Sequence, residues 1–369
     1  MSEYLHIVSL TAPSPPDYGG AFDLFYKIPA LARLGKKVIL HYFDYKEGRG
    51  HEGLEQYCVE INKYSRSTFF QSMLTLKPYI VSSRVESKLV SRLKEDNHTV
   101  LLEGIHCTGI VPYLKNRKVL VRVHNDEATY YRQLQQNERN RLKALYFYYE
   151  ATLLSRFQKA MSSDPYYLFV SETDKESFRL KYGQPKQLFL PCFIPWQHVK
   201  SLTGKGNYCL YHGNLSISEN INAALWLTQS VFPSIDLPLV IAGKNANVLK
   251  GKISGDLNVT LANDPTDTQL SNLIQQAHIN VLPSFNNTGV KLKLIHALYE
   301  GRFCFTNRAG VSGSGLDSAV TVLETNSDWV KTIKTVTQSE FTDACVKERQ
   351  VQLGNYNNEL NAQKLMELL

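Results

Sequence analysis

The sequence predicts an α/β protein of two doubly wound domains that face each other across a cleft, and three observations predict it. Near the start, the apolar run Tyr4 to Ser9 leads into the turn TAPSPPDYGG. AFDLFYKIPALARLG follows, with apolar residues at helical spacing and a stop at Gly35, and then the buried run KKVILHYF. Strand, glycine turn, helix and strand make a βαβ unit, the building block of a parallel sheet covered by helices on both faces. A second alternating series begins at Tyr208. Between the two, Pro185, Pro191 and Pro195 and the small polar stretch SLTGKGN interrupt regular structure, which places a linker at 191–206. A chain of 369 residues also exceeds what one core usually supports.

The elements follow in order. A long helical stretch is expected from Ser67 to Lys94, strands at Val100 to Leu102 and Val119 to Val123, and a long helix-like segment from Glu127 to Ala160. Short strands are expected at Tyr167 to Val170 and Leu188 to Leu190. In the second series YCLYHGNL supplies a strand and turn, Ser218 to Phe232 a helix, and LPLVIAG another strand and turn. Strands at Val259 to Leu261 and Ile279 to Leu282 come next, then the helix in NTGVKLKLIHALYEG, a strand at Phe303 to Thr306 and a terminal helical region. The predicted domains are 1–195 and 206–350, with a terminal helix at 351–369 that packs back toward the first. Ligands in such folds bind outside the carboxyl ends of the strands.

Composition narrows the class. Hydrophobic residues at 43% with 20% charged are those of a globular protein. Six scattered cysteines without a CxxC pair support neither a disulfide framework nor a structural metal. The start lacks a charged segment followed by a long apolar one, and no run of about 18 apolar residues occurs. A cytoplasmic protein, peripheral at the inner face of the membrane, is the expectation. The net charge of +7 sits wholly in the first half, where 27 Lys and Arg face 20 Asp and Glu over residues 1–195, against 14 and 14 beyond. Two readings of that excess stay open: attraction to an anionic surface, or an ordinary surface imbalance.

The stretch Asn287 to Gly301 is the most informative. It places Lys291 and Lys293 in the first turn of an amphipathic helix, where cations oppose the macrodipole. A phosphate or diphosphate bound on the exposed amides would relieve the conflict, although a solvated lysine pair is the plain alternative. No GxGxxG follows the first strand and no GxxxxGK[ST] occurs, so neither a dinucleotide fingerprint nor a P-loop is present. Asp126 and Glu127 read as helix capping rather than a metal site. His124 should end a buried strand, as a site residue or as a structural histidine in the wall. Glu103, His106 and Thr108 are candidates to orient an acceptor. Tyr130, Tyr131, Tyr146, Phe147, Tyr148 and Tyr149, interleaved with Arg132, Arg139, Arg141 and Lys143, fit either a membrane-facing surface or a core helix with a basic outer face. No nucleic-acid-binding module is recognised.

Taken together, PPDYGGAFDLFYKIPALARLGKKV, VRVHNDEATYY, YHGNLSISENINAALWL, LVIAGKNA and TGVKLKLIHALYEGR resemble the GT-B glycosyltransferases, specifically the family 4-like (group 1) enzymes, over nearly the whole chain. The resemblance implies two Rossmann-like domains and transfer of a sugar from a nucleotide-diphosphate sugar to a glycan or lipid-linked acceptor, with retention, without a metal and without a cofactor. It also leaves open a non-catalytic nucleotide-sugar-binding subunit of the same fold. By position it implies that Gly19 and Gly20 approach the diphosphate and sugar, that His124 lies beside the transferred sugar, and that Gly213 and Asn214 lie near the donor phosphates. Lys244 and Lys291 would offset charge on the leaving group, and Thr288, Gly289 and Val290 would cover the diphosphate and hexose. The family's two glutamates, eight positions apart, are here Thr288 and His296. A hydroxyl and an imidazole can bond sugar hydroxyls but lack the charge-assisted bonds of a carboxylate.

Overall fold

The computed structural model describes residues 3–45, 47–68, 76–138, 140–161 and 163–369, except for the side chain of residue 137. The chain divides into two compact units, Met1–Pro195 with Asn355–Leu369, and Trp196–Gly354.

In the first unit, β1 (Tyr4–Ser9), β2 (Lys37–Phe43), β3 (Cys58–Tyr64), β4 (Thr99–Glu103), β5 (Val119–Val123), β6 (Tyr166–Phe169) and β7 (Gln187–Phe189) form one sheet in the order β3-β2-β1-β4-β5-β6-β7. Every pairing is parallel. Register aligns Ser9 with Glu103 and Glu103 with Arg122, so three carboxyl ends stand side by side. Residues alternate between two apolar layers, Val8, Leu102 and Val121 on one face and Ile7, Leu101 and Leu120 on the other, as expected of a sheet buried on both sides. The final helix, Asn358–Glu367, belongs to this unit and adds Ala362 and Leu365 to the layer holding Leu24 and Ile28 of helix Gly19–Arg33.

In the second unit, β8 (Cys209–His212), β9 (Leu239–Gly243), β10 (Val259–Asn263), β11 (Ile279–Val281), β12 (Phe303–Thr306) and β13 (Thr321–Val322) pair in parallel in the order β10-β9-β8-β11-β12-β13. Both sheets reverse strand order beside their first strand, at β1/β4 and β8/β11, where this topology opens a binding crevice. Gly243 cannot be replaced there. Its φ is +146°, and a Cβ would lie 1.9 Å from the Gly213 carbonyl oxygen.

Several sequence expectations need correction. Among the described residues, the helix expected from Ser67 to Lys94 is replaced by two short helices, Tyr79–Ser82 and Ser87–Leu93; its part at 69–75 lies outside the described residues. Strand β3 was not anticipated, because CVEINKY is an edge strand of mixed polarity with Val59 exposed. The expected helix 127–160 is broken into Glu127–Asn137 and Arg141–Lys159, the second opened by Asn140, whose side chain accepts from the Lys143 amide. Two-residue β13 carries too little pattern to be read. Lys291 sits at the N-cap, one residue before helix Leu292–Glu300, rather than inside its first turn. No described helix is long and apolar enough to cross a membrane.

Candidate active site

At the carboxyl edge of the first sheet a buried chain of charges ends on His124. Asp23 and Lys27 lie one turn apart in helix Gly19–Arg33, and Lys27 Nζ donates to Asp23 Oδ2 at 2.7 Å and to Glu103 Oε1 at 2.5 Å. Arg122 grips Asp23 with two bonds, Nε to Oδ2 at 2.9 Å and a terminal nitrogen to Oδ1 at 2.8 Å, and also donates to the Leu190 and Pro191 carbonyls. Glu103 Oε2 accepts from His124 Nε2 at 3.2 Å. Burial alone would raise the Asp23 carboxyl, but Arg122 and then Lys27 hold it well below its usual range. Glu103 is likewise lowered against its burial, by the Lys27 charge and the His124 bond. The result is a fixed imidazole: its Nε2 proton is committed to Glu103, which fixes the tautomer and the ring plane.

Gly19 and Gly20 open the helix that carries Asp23 and Lys27. No side chain caps its start and no acid occupies its first turn, so its first amides favour a negative group. A Cβ on Gly20 would stand 3.9 Å from the His124 ring, which places this helix start against the imidazole. The predicted acceptor residues part company here. Glu103 is buried and engaged with Lys27 and His124. Thr108 is buried and donates to the Ile105 carbonyl at 2.6 Å. His106 Nδ1 lies 4.0 Å from Glu127. Glu127, at the start of its helix, is pushed up to about 8 by burial and then by Asp126, while Asp126 accepts from Thr129 and Lys181 as a capping acid does.

Asp23, Glu103 and His124 also lie close enough together to share a metal ion. They do not fit one. Both carboxylates already accept from buried cations, which a metal would have to displace.

In the second unit the loops after β8, β9 and β11 converge. The Leu215 amide donates to the Lys244 carbonyl at 2.8 Å, which ties the Gly213–Asn214 turn to the Lys244 turn. Asn220 links the other side, donating to the Asn214 carbonyl and accepting from Lys293 Nζ at 3.0 Å. Glu219 accepts from Ser284 and Asn286, and Asn286 in turn accepts from the Thr288 amide and hydroxyl, both at 2.8 Å. Gly289, with φ +63°, turns the chain toward Lys291, and Lys291 Nζ donates to the Thr288 carbonyl at 2.6 Å. Val290 lies between them, half-buried. Lys244 is exposed, and neither it nor Lys293 has a carboxylate within 4 Å among the described residues. Burial lowers Lys293 to about 8. His296 stacks on Trp196 at 4.3 Å between ring centroids and bonds Glu300 at 2.9 Å, so a carboxylate stands one helical turn beyond the family position. His212, at the end of β8, is buried with Nε2 lacking a partner among the described residues.

Residues 206–338 match the model of the family described as glycosyl transferases group 1. That stretch makes up most of the second unit, which therefore carries a group 1 glycosyltransferase domain. It is 28% identical over 352 residues to an uncharacterized 44.6 kDa protein in the cps region of Klebsiella pneumoniae, covering 87% of each chain. Among solved structures, TarM superposes with a TM-score of 0.67 at 10% identity, over 99% of this chain and 98% of that one. The lipopolysaccharide outer core galactosyltransferase WaaB gives 0.65 at 12% over the same shares. Anabaena HepE, crystallised with UDP and glucose, gives 0.61 at 11%, over 100% of this chain and 99% of that one. At these identities the structures establish the GT-B fold. The chain therefore has two Rossmann-like units, with His124 on the first and the lysine-bearing segments on the second. Sequence reading found these loops but missed Asp23, Lys27 and Arg122. The FDLFYK spacing of Asp23 and Lys27 was the available local signal.

Proposed function

We propose that this enzyme transfers a sugar from a nucleotide-diphosphate sugar to a saccharide or lipid-linked saccharide, with retention and without a metal. The observation that carries the reading is the second unit's group of lysines, Lys244 on the turn after β9 and Lys291 and Lys293 at the start of helix Leu292–Glu300, at the carboxyl edge of a doubly wound sheet. Cations fixed where a diphosphate departs stabilise the charge that develops there, usually the largest catalytic term. Thr288, Gly289 and Val290 line the same turn, and Gly213 and Asn214 bring backbone to it. On the first unit, His124 and the start of helix Gly19–Arg33 present a fixed imidazole and amides that favour a negative group. Retention in this reading comes from acceptor attack on the face that the diphosphate leaves. The engagement of Glu103 with Lys27 argues against its serving as a covalent nucleophile.

The Klebsiella relative comes from a cps region, and HepE was crystallised with UDP and glucose. The first supports a role in polysaccharide biosynthesis and the second a uridine-linked hexose donor. In helix Arg141–Lys159, Leu142, Leu145, Tyr148 and Tyr149 are exposed beside Arg141 and Lys143, which suits an anionic membrane surface and a peripheral cytoplasmic enzyme. A nucleotide-sugar panel read by thermal shift tests the function, since a ligand selective for the folded state raises the melting temperature. A UDP-hexose is expected to raise it, and vesicles containing phosphatidylglycerol to sediment the protein. No shift with any nucleotide sugar would sink the donor assignment.

A further inference from the structure

A second group of cations in the first unit is not used by the chemistry above. Arg66 and Arg84 both pack against Tyr45, with guanidinium carbons 4.5 Å and 5.3 Å from its ring centroid, and Arg66 also lies 4.7 Å over Tyr79. Arg66 bonds only Ser83 Oγ among the described residues. Arg84 is buried and donates to the Leu10 and Ile80 carbonyls and to Tyr45 Oη. Neither has a carboxylate within 4 Å among the described residues. Burial, and then the Arg66 charge, pull Arg84 below its usual value.

Nearby, Arg49 lies 5.1 Å over the Tyr18 ring and pairs with Asp17. Among the described residues, these three guanidiniums are thus met by one carboxylate within 4 Å. Burial and then Asp126 push Glu127, a buried acid that feels the Arg84 charge, up to about 8, which weakens its hold on that charge near neutral pH. Two cations held against each other without an acid cost stability, which an arriving anion would return.

The place fits an acceptor. Leu10 follows β1 and Tyr45 follows β2, both at the carboxyl edge, and the Tyr18 ring stands 3.3 Å from where a Gly20 Cβ would be, beside His124. Tyr45 is 38% exposed and Arg66 half-buried, so a ligand can reach that ring and the Arg66 guanidinium, with the buried Arg84 charge behind them. Planar guanidiniums bind phosphate or carboxylate through paired donors. Tyrosine faces accept the C–H faces of sugar rings.

We propose that Arg66, Arg84 and Tyr45 form a subsite for the negative group, phosphate or carboxylate, of an acidic saccharide acceptor, a reading that rests on the sugar-transfer function. Calorimetric titration of the full chain tests it, with saturating UDP present to block the donor site. The probes are hyaluronan tetrasaccharide, inorganic diphosphate and neutral maltotetraose. Either anion should bind more tightly than maltotetraose and more weakly at high salt, and the tighter one identifies the charged group. Arg66→Gln should weaken that binding about tenfold, Arg66→Lys should recover part of it, and UDP affinity should stay unchanged. Equal binding of maltotetraose, or an unchanged affinity in Arg66→Gln, overturns the subsite. So does an Arg66→Gln protein that loses only its sedimentation with phosphatidylglycerol vesicles, which would assign the cluster to a membrane. Failure of the unaltered chain to bind UDP bears on the sugar-transfer reading alone.

Discussion

Around His124 each charge has an opposite partner, whereas at the matching edge of the second sheet Lys244 and Lys293 have no carboxylate within 4 Å among the described residues. The two edges are built on the same topology and do different physical work. A paired network holds one imidazole in place and attracts little. An unmatched group of cations tolerates its own repulsion until an anion arrives. The difference separates positioning from charge stabilisation, and it can be tested by breaking each side.

The largest effect should come from breaking the paired side. Asp23→Ala leaves Arg122 and Lys27 buried without their shared carboxylate, and breaking a buried pair by removing one partner costs about 3–5 kcal/mol. All three tryptophans, Trp196, Trp226 and Trp329, lie in the second unit, so tryptophan emission reports that unit while circular dichroism reports both. In urea, the dichroism of Asp23→Ala should begin to unfold at a clearly lower concentration, with the tryptophan transition little moved. Coincident, unshifted transitions would show that the network is dispensable.

Legibility in the sequence follows the same divide. The second unit's site could be read because its loops are short and local: Gly243–Lys244 directly follows LVIA, and Thr288 to Lys293 lie within six residues. The first unit's network joins Asp23 to Arg122 across 99 positions and Lys27 to Glu103 across 76. It exists only because parallel register lines up the ends of β4 and β5. Locally, Asp23 and Lys27 look like any exposed i,i+4 pair. Strands β1, β5 and β8 were clear because they are almost wholly buried and mostly apolar, while β3, partly polar at the sheet edge, carries no such run.

A smaller effect sharpens the contrast within the first unit. His6 Nε2 donates to Asp96, His41 Nε2 donates to His6 Nδ1 at 2.9 Å, and the Tyr64 hydroxyl donates to His41 Nδ1 at 3.0 Å. This chain is fully satisfied with both rings neutral. Burial lowers His6 to about 4 and His41 to about 3. Between those values and 6.5 the unfolded chain binds more protons, so the stability is complete above pH 6.5 and is lost as pH falls toward 4. For His6 alone the loss is about 3 kcal/mol. The depressed carboxyls of Asp96 and Glu60 add their own losses only below about 4.5. A His6→Leu/His41→Leu protein should lose this dependence in urea titrations at pH 6.5 and 4.5, and an unchanged dependence would place the acid sensitivity elsewhere.

The smallest effect tests the unmatched side. Lys244 is exposed, and among the described residues its side chain holds nothing in place, so Lys244→Ala should leave the melting temperature of the ligand-free protein within a degree, as surface changes usually do. Its charge should matter only once a diphosphate is present. Turnover is expected to fall about tenfold, or about 1.4 kcal/mol in the barrier, with a smaller thermal shift on adding UDP. Such a pairing of unchanged intrinsic stability with lost turnover is what a group held for a ligand must show, and Asp23→Ala should show the reverse order of effects. If Lys244→Ala instead destabilised the free protein and left turnover intact, the second edge would be a structural surface like the first, and the division of labour between the two units would fail.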